Sequence, residues 1–240
     1  YEGTWRRDKR NGQGVMEYKD GGRYEGAWVA GQRQGPGAWT AAEGAENDGG
    51  MMTLLAFDGN WEGDVAQGEG RGAFADGCEY EGNWKAGLPG GHGCLRYAGG
   101  EGEVRGIFEA GEIASGSETL SSGETYQGKF QKGKRGVRTG DAVVVESDGS
   151  VYEGGFASGR RNGFGKFVHG VTLTEYQGKW VGGRRNGNGC EVQPSGARFV
   201  GMWKDDLKEG GGQLVRKDGE VVKGTWRGGE YVGEGDEKKE

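Results

Sequence analysis

The chain repeats one short pattern, in which an aromatic residue, a glycine and a second aromatic residue occupy every second position. The first copy is YEGTW at Tyr1, and YEGAW, YEGNW, YEGGF and YQGKW begin at Tyr24, Tyr80, Tyr152 and Tyr176. Alternate residues of a β-strand point to the same face of a sheet. The pattern therefore predicts many short strands, each of which places two rings and a glycine on one face.

The pattern recurs with a nearly constant period. Its ten copies are separated by 23, 37, 19, 24, 22, 26, 24, 23 and 23 residues. The third position is glycine in every copy, and the fifth is aromatic in every copy except the third, where it is Val65. A period of this length indicates a repeat architecture rather than one compact core. The first positions are Tyr1, Tyr24, Trp61, Tyr80, Val104, Tyr126, Tyr152, Tyr176, Phe199 and Val222.

Each copy is followed by a turn region, a Gly-x-Gly motif and a short run that closes on Asp-Gly or Ser-Gly. In the second copy the loop VAGQRQ begins at Val29, and Gly35 and Gly37 begin the return strand. Each repeat is therefore predicted to be one β-hairpin. Glycine normally weakens a strand, but a ring that lies across a neighbouring strand's glycine recovers buried area. We expect the glycines to lie beneath the rings, and the stacked rings to form the core.

Composition supports an ordered chain without a conventional core. The 240 residues include 57 glycines and only 32% hydrophobic residues, which without a period is typical of disorder. Aromatic residues at 10% argue against disorder, and no apolar run reaches the length of a membrane span. Cys78, Cys94 and Cys190 are an odd number at unrelated spacings, so no disulfide framework or zinc site is predicted. This cysteine usage favours a reducing, intracellular location.

The repeats resemble the MORN family (membrane occupation and recognition nexus repeats), through the pattern YEGxW…GxGxxxxxDG. The resemblance covers nearly the whole chain, as an array over residues 1–232 that precedes a charged tail at 233–240. It implies an all-β fold, an elongated, twisted, single-layer antiparallel β-solenoid of about ten MORN hairpins with an aromatic-lined groove. The family's hosts include radial spoke heads, junctophilins, lipid kinases, a lysine methyltransferase and cytoskeletal scaffolds, so the function implied is less specific than the fold.

Two places break the period. The 37-residue interval predicts an insertion near residues 40–59, which contains the apolar run Met51, Met52, Leu54, Leu55 and Phe57. A longer hairpin that packs back on the sheet is favoured there over a partner-binding element. The degenerate unit near 104–116 carries acidic residues where other copies have a basic turn. It predicts either a bend or a join between two regular stretches.

Charge is concentrated after the fifth position of each copy. The six residues that follow it hold 17 Lys or Arg and 8 Asp or Glu over the ten copies, whereas the rest of the chain holds 14 and 29. If these residues form hairpin turns, one long edge of the sheet is basic and the remainder is acidic. The predicted basic edge consists of Arg6, Arg7, Lys132, Lys134, Arg135, Arg160, Arg161, Arg184 and Arg185.

Residues for catalysis are scarce. The chain has two histidines, and His92 and Cys94 in GGHGCL occupy positions that the repeat fills with unrelated residues elsewhere. The glycine-rich GEGRGAF lacks the Gly-Lys-Ser/Thr that a phosphate loop requires, and the Asp-Gly pairs are interpreted as turns. A net charge of −6 argues against nucleic-acid binding. No catalytic residue, metal site or cofactor is predicted, and the chain is not expected to be an enzyme.

The predicted function is that of a non-enzymatic scaffold that docks a protein partner along the aromatic groove of a large, cytoskeletal or ciliary assembly. The expected setting is the cytoplasm, the cytoskeleton or the ciliary axoneme. The alternatives are a membrane or phosphoinositide-recognition module and a regulatory arm of a larger enzyme. Contact with anionic lipid is expected to be weak. The predicted partner-binding rings are Tyr24, Trp28, Tyr80, Trp84, Tyr126, Phe130, Tyr152, Phe156, Tyr176, Trp180, Phe199 and Trp203.

Overall fold

The computed structural model describes residues 1–45, 53–134 and 136–234. The described chain is built from antiparallel strands, so the all-β prediction is confirmed, and its one helical element is a 3₁₀ turn at Ala98–Gly100. Two compact units are present, unit 1 at Tyr1–Ser121 and unit 2 at Ser122–Glu240. The sequence predictions that concern Met51, Met52, Arg135 and tail residues 235–240 lie outside the described residues.

Unit 1 is an open meander of ten strands in which each strand pairs antiparallel with the next. The strands are β1 (Glu2–Arg6), β2 (Lys9–Glu17), β3 (Arg23–Val29), β4 (Gln32–Thr40), β5 (Leu54–Glu62), β6 (Val65–Phe74), β7 (Glu79–Lys85), β8 (Leu88–Arg96), β9 (Gly102–Glu109) and β10 (Glu112–Leu120).

Unit 2 repeats this architecture with ten further strands, again paired in chain order. The strands are β11 (Thr125–Phe130), β12 (Arg138–Val145), β13 (Val151–Ala157), β14 (Arg160–Val168), β15 (Glu175–Val181), β16 (Arg184–Val192), β17 (Arg198–Lys204), β18 (Leu207–Val215), β19 (Val221–Arg227) and β20 (Glu230–Gly233).

The hairpin turns are shorter than the sequence predicted. Val29 already pairs with Gln32, so only Ala30 and Gly31 form the turn, with φ of 52° and 93°. Two consecutive positive φ values are those of a type I′ turn, whose twist matches that of the flanking strands. Three of the six residues of the predicted loop VAGQRQ, Gln32, Arg33 and Gln34, therefore belong to the return strand. As a consequence, the charged residues that follow a turn lie on the faces of the sheet rather than on its edge.

The Gly-x-Gly motif builds a β-bulge and makes room for a ring. Gly26 pairs with Gly37 and Trp28 with Arg33, so one residue of β3 lies opposite three of β4. Gly35 absorbs the bulge with a φ of 75°, a conformation that suits glycine. The second glycine of the motif lies beneath the ring at the first position of the repeat. In unit 2, a Cβ on Gly165 would come 2.5 Å from the Tyr152 hydroxyl oxygen.

The rings form the core, as predicted, but they meet edge to face rather than in stacks. Along the series of repeat rings, neighbouring centroids are 4.8 to 5.5 Å apart in unit 1 and 4.9 to 5.6 Å apart in unit 2, with interplanar angles of at least 62°. Such contacts favour the ring quadrupoles. Phe74, which is not a first- or fifth-position ring, departs from this geometry and stacks on Trp84 at 6.1 Å and 25°. The unit 1 series runs through Trp5, Tyr1, Trp28, Tyr24, Trp61, Phe57, Trp84, Tyr80 and Phe108.

The register predicted for the third repeat is wrong by four residues. Phe57, Gly59 and Trp61 occupy the first, third and fifth positions, because Gly59 pairs with Gly37 and Trp61 with Gly35. Phe57 is a core ring, 1% exposed, and not part of an apolar insertion. With this frame the fifth position is aromatic in all ten repeats. Leu54 and Leu55 belong to β5, whose pairing with β6 is irregular between Leu54 and Ala56.

The degenerate unit near 104–116 is a regular hairpin of β9 and β10. Val104 and Phe108 are fully buried at the first and fifth positions, and Ile113 pairs with Phe108. Val104 thus replaces the first-position ring, and Ile113 lies opposite the fifth-position Phe108, without a change in the register of the repeat. The division between unit 1 and unit 2 falls directly after this hairpin.

Candidate partner-binding face

The face of each unit that carries the rings is called here the ring-side face, and the opposite face is the back face. Every one of the twelve predicted partner-binding rings lies on the ring-side face and is at most 8% exposed. The rings therefore form the interior of the fold. A partner on this face would contact the side chains that cover the rings rather than the rings themselves. Those rings are Tyr24, Trp28, Tyr80, Trp84, Tyr126, Phe130, Tyr152, Phe156, Tyr176, Trp180, Phe199 and Trp203.

The tyrosine hydroxyls donate hydrogen bonds to backbone carbonyls at the bulges. Tyr24 donates to the carbonyl of Ala27 at 3.1 Å, Tyr152 to that of Gly155 at 3.0 Å and Tyr176 to that of Lys179 at 3.1 Å. In each case the acceptor is the residue that the bulge leaves without a partner in the hairpin. Burial raises the pKa of Tyr24, Tyr152 and Tyr176 to about 12, since it disfavours the phenolate.

The tryptophan indoles bind the preceding hairpin. Trp61 Nε1 donates to the carbonyl of Gly37 at 2.9 Å, and Trp180 Nε1 donates to that of Gly165 at 3.3 Å. In both cases the acceptor is the second glycine of the preceding Gly-x-Gly motif. Within the described chain, Trp203 Nε1 is buried and has no hydrogen-bond partner. Trp203 therefore differs from Trp61 and Trp180, whose indole nitrogens each have an acceptor.

One further position in each repeat decides what covers the rings. It is the return-strand residue that pairs with the fifth-position aromatic, and we call it the covering position. A residue here lies on the ring-side face. Four arginines at this position lie over the tryptophan of the next repeat, whereas Arg138 and Lys208 lie over rings of their own repeat. In chain order the ten covering residues are Arg10, Arg33, Ala66, Pro89, Ile113, Arg138, Arg161, Arg185, Lys208 and Tyr231.

The cations at the covering position lie on aromatic rings. The guanidinium carbon of Arg33 is 3.9 Å from the Trp61 ring centroid, and that of Arg185 is 4.2 Å from the Trp203 centroid. Arg161 lies near three rings, 4.9 Å from Tyr152, 4.8 Å from Phe167 and 5.3 Å from Trp180. Such cation–π contacts hold each charge in a fixed place at the surface. Burial lowers the pKa of Arg161.

Carboxylates neutralise this row of cations. Arg185 pairs with Glu191 at 2.8 Å and with Asp206 at 3.3 Å, and Lys208 pairs with Glu191 at 3.0 Å. Arg138 pairs with Glu124 at 2.6 Å and Arg161 with Glu146. The ring-side face of unit 2 is thus a polar surface of alternating, paired charges over an aromatic interior.

The residues of the predicted basic edge divide into two groups. Arg161 and Arg185 lie on the ring-side face with side chains 19% and 24% exposed, so they are not edge residues. Their chain neighbours Arg160 and Arg184 are exposed, and Arg184 lies 3.8 Å from Asp205. The remaining described members, Arg6, Arg7, Lys132 and Lys134, are exposed.

Sequence reasoning missed the covering position. Its signal is a basic residue five positions after the fifth-position aromatic, as in Trp28 and Arg33 or Trp180 and Arg185. The spacing is present in the sequence, but the basic residue was assigned to a predicted six-residue loop instead of the return strand. The acidic partners Glu191 and Asp206 come from neighbouring hairpins, and only the register brings them to Arg185.

The geometry around Cys94 does not activate a thiol. Cys94 Sγ donates to Glu103 Oε2 at 3.6 Å, and burial, followed by the charge of Glu103, raises the pKa of the thiol. A raised pKa disfavours the thiolate that nucleophilic chemistry requires. Across residues 1–45, 53–134 and 136–234, no three His, Cys, Asp or Glu side chains are grouped so as to hold a metal ion. No described helix is long and apolar enough to cross a membrane.

Comparison with protein families identifies the repeat. The family model described as MORN repeat matches seven segments, at residues 1–23, 24–45, 57–79, 80–102, 152–170, 176–198 and 199–221. The chain belongs to the MORN-repeat family. The matched segment at 57–79 begins at Phe57, in agreement with the frame of the third repeat in the structure. The MORN hairpins that the family model leaves out are those with an aliphatic first position or an irregular turn.

Known proteins resemble parts of the chain. Alsin of Mus musculus is 29% identical and Alsin of Homo sapiens 28% identical over 157 residues, which are 61% of this chain but 9% of either relative. Among solved structures, the TCP10 domain of Danio rerio CPAP in complex with a peptide of Danio rerio STIL is 12% identical, with a TM-score of 0.32 and coverage of 89% of this chain and 99% of that one. A TM-score this low transfers no property to this chain.

Proposed function

We propose that this MORN array is a non-enzymatic scaffold that binds a segment of a partner protein along the ring-side face of unit 2. The observation that supports the proposal is the row of four cations at the covering position. Their side chains are 17% to 24% exposed, lie on rings and are paired with carboxylates. Charges that are already fixed lose little conformational entropy when a partner binds.

In this proposal the twelve predicted rings act indirectly. They hold Arg138, Arg161, Arg185 and Lys208 in place, and the partner contacts the covering side chains and the strand residues between them. Apolar residues such as Phe167 and Leu214 are half-buried on the same face, so a bound segment meets polar and apolar surface in alternation. Interfaces of this mixed character are typical of regulated protein–protein contacts.

The setting that we propose is an intracellular, cytoskeletal or ciliary assembly, without a cofactor. It rests on the hosts in which MORN repeats occur. Because the matched stretch is only 9% of Alsin, a second candidate is that the array serves as a regulatory arm within a longer protein. Both settings use the same binding face.

The test begins with a display library of protein segments from which binders to the purified chain are selected. The affinity of a selected segment is then measured for the parent, for Arg185→Gln on the ring-side face and for Lys166→Gln on the back face. We expect about tenfold weaker binding for Arg185→Gln and no change for Lys166→Gln. Segments that depend only on Lys166, or a selection that yields none, would contradict the proposal.

A lipid-binding module is a third candidate because of one observation. Arg160 and Arg184 are exposed. Each begins the return strand of its hairpin, β14 and β16, and these two hairpins are neighbours. Two exposed arginines on neighbouring hairpins can meet anionic headgroups together. Each basic residue near an anionic surface contributes about 1 kcal/mol, so the pair alone supports only weak binding.

A further inference from the structure

One connection between hairpins in unit 2 differs from its neighbours. In the loop after β12, the amide of Glu146 donates to the carbonyl of Ser150, four residues on, at 2.8 Å. In the loop after β14, the amide of His169 donates to the carbonyl of Thr174, five residues on, at 3.0 Å. The extra residue places Leu173 at a φ of 55°. This loop is therefore built differently from the standard turn of the array.

The extra residue brings apolar side chains to the surface. Val171 is 75% exposed and Leu173 is 61% exposed. The loop is nevertheless held by its own hydrogen bonds, since His169 Nδ1 accepts from the amides of Val171 and Thr172 at 3.2 and 3.3 Å. An imidazole that accepts at Nδ1 carries its proton on Nε2 when neutral, so His169 presents a donor beside the ring-side face.

The loop forms one wall of a pocket of about 410 Å³ on the ring-side face. Phe167 and Trp180 supply its apolar surface, and His169, Thr172 and Thr174 form its rim. Pockets that bind small ligands or side chains are commonly about 300–1,000 Å³ and largely apolar, with a few polar groups at fixed places. The pocket has this volume and polar groups at fixed places, although charged and polar side chains form most of its lining.

The charges in the pocket are already paired. Arg161 pairs with Glu146, and Arg185 pairs with Glu191 and Asp206. An anionic group would have to displace a carboxylate from an arginine, and a cationic group would have to displace an arginine from a carboxylate. An uncharged apolar side chain would cover Phe167 and leave every pair intact.

We propose that this pocket is the site that receives an uncharged apolar side chain, such as leucine or phenylalanine, from the bound segment of a partner protein. The inference rests on the proposed function and deepens it. Val171 and Leu173 extend the apolar surface beyond the rim, and the His169 Nε2 donor reaches a backbone carbonyl of the segment. Selectivity for uncharged residues follows from the paired arginines.

The test uses the full nitrogen-labelled chain and simple probes in a protein NMR titration. The probes are the N-acetyl amides of leucine, phenylalanine, aspartate and lysine, and inorganic phosphate. We expect the leucine and phenylalanine probes to shift the Trp180 indole and the Thr172 and Thr174 amides in a saturable way, and the charged probes to leave them unchanged. Larger shifts with phosphate or aspartate would reveal an anion site and overturn the proposal, as would the absence of shifts with every probe.

A variant tests whether the shifts arise from probes bound in this pocket. It also distinguishes this inference from the proposed function. Thr172→Trp fills the pocket mouth at an exposed loop position, and Ser195→Trp makes the same change in the standard loop between β16 and β17. We expect Thr172→Trp to weaken the apolar probes about tenfold or more and Ser195→Trp to leave them unchanged. If a selected protein segment binds Thr172→Trp as tightly as the parent, the pocket assignment is wrong while the proposed function stands.

Discussion

Unit 1 and unit 2 share one interior and differ in what covers it. At the covering position, unit 1 places the buried apolar residues Ala66, Pro89 and Ile113 in three of its five hairpins. Unit 2 places Arg138, Arg161, Arg185 and Lys208 in four of its five. Ring contacts of the same geometry lie beneath both sets, so the edge-to-face core does not require cations. The cations of unit 2 are therefore not required by the geometry of the ring contacts.

The back faces show the opposite contrast. In unit 1 cross-strand ion pairs lie on the back face, among them Arg71 with Glu79 at 2.5 Å and Arg96 with Glu81 at 3.2 Å. In unit 2 the back face exposes apolar side chains, including Phe164 at 65% and Val200 at 47%. The back face of unit 2 also carries the ion pair of Lys166 with Glu175 at 2.8 Å, so its exposed apolar side chains lie beside charged ones.

The largest expected effect tests whether the interior is common to both units. Replacing Trp84 in unit 1 or Trp180 in unit 2 by alanine removes a ring that contacts three tyrosine or phenylalanine rings. We expect each change to lower the free energy of unfolding by about 2–4 kcal/mol. Denaturant unfolding of both variants measures it. A loss confined to one unit would show that only that unit depends on its rings.

Alkaline unfolding is expected to affect both units because each contains buried tyrosines. Burial raises the pKa of Tyr24 and Tyr80 in unit 1, and of Tyr152 and Tyr176 in unit 2, to about 12 from an ordinary 10.0. The unfolded chain loses these protons first, so stability is fully present below pH 10.0 and falls as the pH rises through about 12. Denaturant midpoints across this range measure the decline.

The control for the alkaline decline is Tyr152→Phe, which should reduce its slope in proportion to the one tyrosine removed. The hydroxyl of Tyr152 also donates to the carbonyl of Gly155 at 3.0 Å, so the variant starts from a lower stability at neutral pH. An unchanged slope would mean that this tyrosine ionises equally in the folded and unfolded chains.

A smaller effect distinguishes equivalent tryptophans of the two units. Trp61 in unit 1 and Trp203 in unit 2 both lie beneath an arginine, but only Trp61 Nε1 has an acceptor, the carbonyl of Gly37 at 2.9 Å. Substitution by phenylalanine should cost about 1 kcal/mol more at Trp61 than at Trp203, since it breaks a hydrogen bond only at Trp61. Thermal unfolding of the two variants provides the comparison, and equal losses would contradict it.

The sequence predicted the hairpins and the rings because both follow from local rules. Alternation along a strand fixes the face of Tyr24, Gly26 and Trp28, and the predicted glycines beneath the rings are confirmed by the approach of Tyr152 to Gly165. The third repeat was misplaced because Trp61, followed by Gly63, imitates a first position. The period of 23 residues back from Tyr80 to Phe57 contains the correct frame.

The covering position could not be predicted from local pattern alone. Whether Arg161 lies at an edge or over a ring depends on the exact length of the turn, since a shift of one residue moves a side chain to the opposite face. The type I′ turn at Ser158 and Gly159 sets that length. The pairing of Arg161 with Glu146 then depends on the register that brings β14 beside the loop after β12 in the preceding hairpin, which composition alone does not give.

The smallest expected effect concerns membranes and follows from the same placement. Arg160 and Arg184 are exposed, whereas Arg161 and Arg185 are paired on the ring-side face. We expect weak, salt-sensitive sedimentation with phosphoinositide liposomes, lost in Arg160→Gln/Arg184→Gln and retained in Arg161→Gln/Arg185→Gln. Each exposed arginine contributes about 1 kcal/mol at an anionic surface, and the net charge of −6 opposes it. Micromolar binding at physiological salt that requires all four arginines would favour the lipid-binding module over the protein scaffold, because the paired arginines would then have to leave their carboxylates for the headgroups.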